Sequence, residues 1–162
     1  QSEFHAGIVR KNLELDNIVS LGGNIWEDEL LDFMESISKQ EKTEKIAVME
    51  SNIPHKNTAH AVAYCEAKKI DYEIIKPAPF KEFLIELGKH KSLAFFPLTP
   101  ETLSRIATEA RMMGMSVITN KNVGATREEW FKLKGSELVD VMRAKKKEIP
   151  NLIIEAFNAE SL

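Results

Sequence analysis

Short β-rich apolar runs alternate with amphipathic helical stretches along this sequence, and that alternation restricts the fold more than any other feature. Ile18 to Leu21, Ile46 to Glu50, Tyr72 to Ile75, Leu93 to Phe96 and Ser116 to Thr119 read as five buried strands. Between the first two, Leu30, Leu31, Met34 and Ile37 recur at helical spacing, with Glu27, Asp28, Glu35 and Lys39 on the other face, which predicts a surface helix. Further helices are expected over Asn57 to Lys69, Pro79 to Gly88 and Thr102 to Met113, then over Arg127 to Lys147 with a break near Gly135. Strictly alternating elements of this kind favour a Rossmann-like α/β fold, a doubly wound parallel sheet between two helical layers. The 162 residues, 43% of them apolar, fit one domain spanning residues 1–162.

Such a sheet binds ligands at the carboxyl ends of its strands, where helix N-termini with unpaired N–H groups converge. The loops expected there are Gly22-Gly23-Asn24, Ser51 to Lys56, Lys76 to Phe80, Leu98 to Ser104 and Asn120 to Thr126. Charge narrows the ligand class: 22 basic and 25 acidic residues are spread along the chain, so no broad cationic field exists to hold a nucleic-acid backbone. Apolar runs are only a few residues long, far short of the roughly 20 that a spanning helix needs. Cys65 is the only cysteine, which excludes an internal disulfide and a cysteine-built metal site. His5, His55, His60 and His90 lack metal-ligand spacing, so no metal and no resident cofactor are expected. No signal peptide opens the chain, and a reducing, cytoplasmic setting is expected.

The most informative stretch runs from Phe95-Phe96-Pro97-Leu98-Thr99-Pro100-Glu101 to Val117-Ile118-Thr119-Asn120 and reads as strand, loop, helix, glycine stop at Gly114, strand. Glu101 in the loop and Glu109 in the helix are separated by seven residues, with Glu109-Ala110 in the helix. A helix beginning near Thr102 would aim the N–H groups of Thr102, Leu103 and Ser104 at the strand ends, a favourable place for a diphosphate. Glu109, two turns in, is within reach of a ribose diol. Thr99-Pro100-Glu101 also reads as an ordinary helix start with Thr99 as N-cap, and Glu109 as the solvated edge of a stripe formed by Leu103, Ile106, Ala107, Ala110 and Met113.

Together these residues resemble the Glu-x7-Glu motif of retaining GT-B glycosyltransferases, and Val123-Gly124-Ala125 with Glu128 resembles the next loop of that family. In element order the resemblance runs from Ile18 to about Leu138. It implies that the chain is one half of a GT-B fold and binds a nucleoside-diphosphate sugar for transfer to an acceptor with retention. Glu101 would face the donor sugar as the catalytic residue, Glu109 would hold the ribose, and Pro77 in the loop after the third strand would meet the base. Pro79 in that loop also fits a simple turn into the next helix.

One departure from the family is plain. GT-B enzymes of this type carry an Arg and a Lys after the first strand, where this chain has Gly22-Gly23-Asn24-Ile25-Trp26-Glu27-Asp28-Glu29. Gly22 and Gly23 still permit close approach of a phosphate, and Lys56, Arg105 or Arg127 would supply the charge. The chain opens at Gln1 rather than a methionine, and the resemblance makes its first dozen residues the tail of an N-terminal acceptor-binding domain and Asn151 to Phe157 a closing helix. Lys145-Lys146-Lys147 reads as a solvated helix end, with contact to an anionic membrane face as the alternative. Two other functional classes stay open: an enzyme half like that of sugar-nucleotide epimerases, and a non-catalytic nucleotide-binding or oligomerisation module.

Overall fold

The computed structural model describes residues 1–159. Its centre is a four-stranded, all-parallel sheet of β1 (Thr43–Met49), β2 (Tyr72–Ile75), β3 (His90–Phe95) and β4 (Ser116–Thr119) in the order β2-β1-β3-β4. Six α-helices surround it: α1 (Glu3–Leu13), α2 (Asp28–Ser38), α3 (Thr58–Lys68), α4 (Phe80–Gly88), α5 (Arg105–Met112) and α6 (Ser136–Ala159). Alternation of side chains along the strands feeds two cores. Ile46, Val48 and Ala94 pack with Ala61 and Cys65 of α3 on one face. Ala47, Leu93 and Phe95 pack on the other with Leu31 and Met34 of α2, Leu84 of α4, Ala107 of α5 and Met142 of α6. The result is the expected three-layer, Rossmann-like α/β fold. Among the described residues no helix is long and apolar enough to cross a membrane.

Four of the five expected strands form, and the exception is informative. Ile18 to Leu21 lies outside the sheet, with Val19 53% exposed. The Ile18 carbonyl accepts instead from Nε (3.1 Å) and Nη2 (2.7 Å) of Arg10, which strap this segment to α1. A short β-branched run without a neighbouring strand to share its backbone bonds stays irregular.

Three further boundaries differ from expectation. Helix α5 begins at Arg105, not Thr102, because Glu101 pairs in parallel with Val123 and the Glu101 amide donates to Asn122 O at 2.7 Å. Its N-cap, Ser104, turns with φ 73°, outside the helical region. The expected break at Gly135 (φ 61°) forms and α6 starts directly after it, but the stretch before the break holds only a 3-10 turn at Glu129–Lys132 where an α-helix was expected. Helix α6 then runs through Pro150, so Lys145 to Lys147 sit inside it rather than at its end, and Asn151 to Phe157 continue it rather than forming a separate helix. Lys146 pairs with Asp28 (2.7 Å) and Lys145 with Glu148 (3.1 Å).

The chain's first residues are built into the body of the domain. Ser2 is fully buried, caps α1 by accepting from the His5 amide, and donates its hydroxyl to the Thr102 carbonyl. The Gly23 amide donates to Gln1 O (2.8 Å) and the Glu3 amide to Glu128 Oε1 (2.8 Å).

Candidate functional site

The order β2-β1-β3-β4 places the topological switch between β1 and β3, whose chain continuations leave in opposite directions, to β2 and to β4. Parallel α/β sheets open a crevice at that point, on the carboxyl side. A cleft of about 370 Å3 lies there, walled by Lys56 after β1 and by Glu101, Thr102, Ser104 and Arg105 after β3, with Gln1 and Asn24 at its rim. The two loops are fastened to each other: the Leu98 amide donates to His55 O (2.8 Å), and Asn57 Nδ2 to Phe96 O (3.0 Å). Asn120 and Asn122 donate through Nδ2 to Pro97 O, each at 2.9 Å, and fix the β3 loop against the β4 loop. The cleft walls are therefore held before any ligand arrives.

A larger concavity, about 890 Å3, sits at the opposite, amino edge of the strands and includes Lys42, Lys91 and Lys134. Its most buried cation is already employed. Lys42 Nζ donates to the Gly88 and Ile37 carbonyls at the ends of α4 and α2, while burial and the nearby Lys134 charge pull its pKa down. The cleft at the switch point has the stronger case, because charged and polar groups from separate loops converge on it.

Two carboxylates and two cations dominate the chemistry. Lys56 Nζ stands 2.6 Å from Glu101 Oε1, with side-chain exposures of 25% and 12%, and its ammonium lies 5.6 Å from the Phe95 ring centroid. Arg105 Nε donates to Glu109 Oε1 at 3.1 Å, and its guanidinium lies over Trp26 at 5.2 Å. Trp26 Nε1 donates to the same Glu109 oxygen at 3.1 Å. Ser104 is 6% exposed, and its hydroxyl has no hydrogen-bond partner. It sits at the start of α5, where the N–H groups of Arg105, Ile106 and Ala107 have no acceptor within the helix. A cleft so built can hold an anion through cations, a helix N-terminus and a hydroxyl, and can accept hydrogen bonds at Glu101.

Of the residues singled out in the sequence, Lys56, Glu101, Thr102, Ser104 and Arg105 come together at this cleft. Leu103 does not: it is fully buried in the core, and its carbonyl accepts from the Ala125 amide at 3.0 Å. Because α5 starts later than expected, the helical donors belong to Arg105 and its successors, not to Thr102, Leu103 and Ser104. Glu109 does not wall the cleft and is 3% exposed, rather than lying on a solvated edge. The glycine pair is committed elsewhere: Gly22 O accepts from Trp130 Nε1 (2.8 Å), Gly22 N donates to Ser20 Oγ (3.2 Å) and Gly23 N to Gln1 O. Pro77 follows the edge strand β2 and does not wall the cleft, and Arg127 stacks over Phe4 at 5.3 Å.

Sequence reasoning placed Asn24 in a loop at this edge but missed Gln1, Ser2 and Trp26. Thr102 Oγ1 donates to Gln1 Oε1 at 2.8 Å across 101 positions, a proximity with no local signal. Only Ser2 had one, a serine immediately before a helix with an acidic first turn.

Among known proteins, no family model, no curated protein and no solved structure matches the chain.

Proposed function

We propose that this chain is the donor-binding half of a two-domain, GT-B-type retaining glycosyltransferase, which takes a nucleoside-diphosphate sugar. The supporting observation is the meeting of Lys56, Glu101, Ser104 and Arg105 in one cleft at the switch point of a parallel sheet. In this reading the diphosphate lies against the start of α5 beside Lys56 and Arg105, the charge compensation that the loop after Leu21 lacks. Glu101 accepts hydrogen bonds from the donor sugar and stabilises positive charge developing at the anomeric carbon. The acceptor site and its activating groups belong to an N-terminal partner domain, so the isolated chain binds donor without turnover.

Calorimetric titration with uridine, guanosine and adenosine diphosphates tests the binding step: one of them is expected to bind, and indifference to all three would remove the reading. Product analysis of a longer parent protein separates transfer from epimerisation. A second reading, a nucleotide-binding module without catalysis, is favoured by Glu109, whose carboxylate is buried and engaged by Trp26 and Arg105. It predicts diphosphate binding with no sugar transfer by the parent protein.

A further inference from the structure

The cleft is electrically self-satisfied. Its two cations are each engaged by a carboxylate of the same chain, Lys56 by Glu101 at 2.6 Å and Arg105 by Glu109 at 3.1 Å. The two pairs differ in what they can release. Glu109 is also held by Trp26 Nε1, and Arg105 bonds it through Nε, which leaves the guanidinium's terminal N–H groups available to a ligand. Lys56 is a point charge whose ammonium is turned to Glu101, and Glu101 itself walls the cleft.

We propose that Glu101 is a specificity-determining residue which competes with a ligand's phosphate for the Lys56 ammonium, so that the cleft disfavours a bare diphosphate. This rests on the reading of the cleft as a diphosphate site. The start of α5 and the partnerless, buried Ser104 hydroxyl support that reading independently of the ion pair. When a phosphate draws Lys56 away, the Glu101 carboxylate is left in a confined cleft beside further negative charge, and like charges there repel. A ligand carrying hydroxyl groups beyond its diphosphate relieves this by donating hydrogen bonds to Glu101. A ligand that ends at the diphosphate does not, and it binds less tightly because Glu101 still competes for Lys56. The same carboxylate that welcomes the hydroxyl-bearing ester thus helps to expel what remains once the ester bond is cut.

Calorimetric titration of the chain with inorganic pyrophosphate tests the competition, using wild type, Glu101→Gln, Lys56→Met and the double variant. Glu101→Gln preserves shape and removes charge, and it is expected to bind pyrophosphate about fivefold tighter than wild type. Lys56→Met is expected to bind more weakly than wild type, and adding Glu101→Gln to it is expected to recover little, the coupling that a double-mutant cycle reads. Thermal melts establish folding, and Lys56→Gln replaces Lys56→Met if the latter does not fold. Pyrophosphate binding to wild type with no gain in Glu101→Gln overturns the competition and leaves the diphosphate site standing. An equal gain with and without Lys56 overturns it too, since general charge removal would then suffice. No binding by any variant overturns both.

Discussion

Trp26 Nε1 donates to Glu109 Oε1 at 3.1 Å, joining the segment that enters α2 to the middle of α5 across 83 positions. The bond gives a buried carboxylate its partner and also gives a buried indole its acceptor. Glu109→Ala strands the Trp26 N–H and releases Arg105, and is expected to cost about 2 kcal/mol of stability; Glu109→Gln, which keeps an acceptor, is expected to cost less than half of that. Urea unfolding midpoints measure both. Nucleotide affinity measured on the Glu109→Ala protein, below its unfolding midpoint, tests the ribose role, which an unchanged value would remove.

Ser104 carries two local costs, a φ of 73° and a buried hydroxyl without a partner. A non-glycine residue in that region is strained by about 1–3 kcal/mol, and such strain persists where a site needs the geometry. Ser104→Gly is therefore expected to raise the melting temperature and Ser104→Ala to leave it unchanged or slightly higher, while both weaken diphosphate binding. A destabilised Ser104→Ala would show that the hydroxyl has a structural partner after all.

Gly124 is required by crowding rather than by its backbone angles. A Cβ there would clash with the Thr102 and Glu101 carbonyl oxygens and with Ser2 Oγ, all three nearer than van der Waals contact allows. Two of these are backbone atoms of the cleft wall and cannot swing aside. Gly124→Ala is expected to cost about 1–3 kcal/mol, as overpacking does, and to weaken ligand binding by displacing Glu101. Ser2→Ala, which only removes a cap and one hydrogen bond, is expected to cost about 1 kcal/mol. Equal effects of the two would contradict the crowding.

Cys65 is fully buried against the α3 face of the sheet, and burial pushes its thiol pKa up from 9.0, with Glu66 adding to the shift. A folded pKa above the unfolded value means that stability is intact below about pH 9 and falls as pH rises through the unfolded and folded values. Lys42, whose pKa burial lowers from 10.5, acts in the opposite sense in the same alkaline range, so wild type must be compared with Cys65→Ala. The melting temperature of wild type is expected to fall more steeply as pH rises above about 9, the window the thiol sets. Alkylation of Cys65 in the native protein at pH 8 is expected to be at least about a hundredfold slower than in urea, because it requires opening.

The fold was legible wherever the local pattern and the tertiary environment agree. Ala47 and Val48, Leu93 and Ala94 carry strand signals and sit in strands because their neighbours complete the ladder. Ile18 to Leu21 carry the same signal without a neighbour, and no local rule reports that. Thr99-Pro100-Glu101 has the chemistry of a helix start, yet the pairing of Glu101 with Val123, 22 positions away, holds it extended and moves the start to Arg105. Cleft residues were legible where a loop follows a strand, as for Lys56, Glu101 and Ser104. Burial of Glu109 was not, because its cover comes from Trp26, far away in sequence.

Ser2, Thr102, Gly23 and Glu128 are tied to one another through the first turn of α1, although they come from four separated stretches of the chain. The two amides that donate in these contacts, those of Gly23 and Glu3, are therefore expected to exchange with solvent deuterium at a common rate. Fraying at the start of α1 would be felt at once in the floor of the cleft, and a molecule seated on that floor would slow exchange in a helix it never touches.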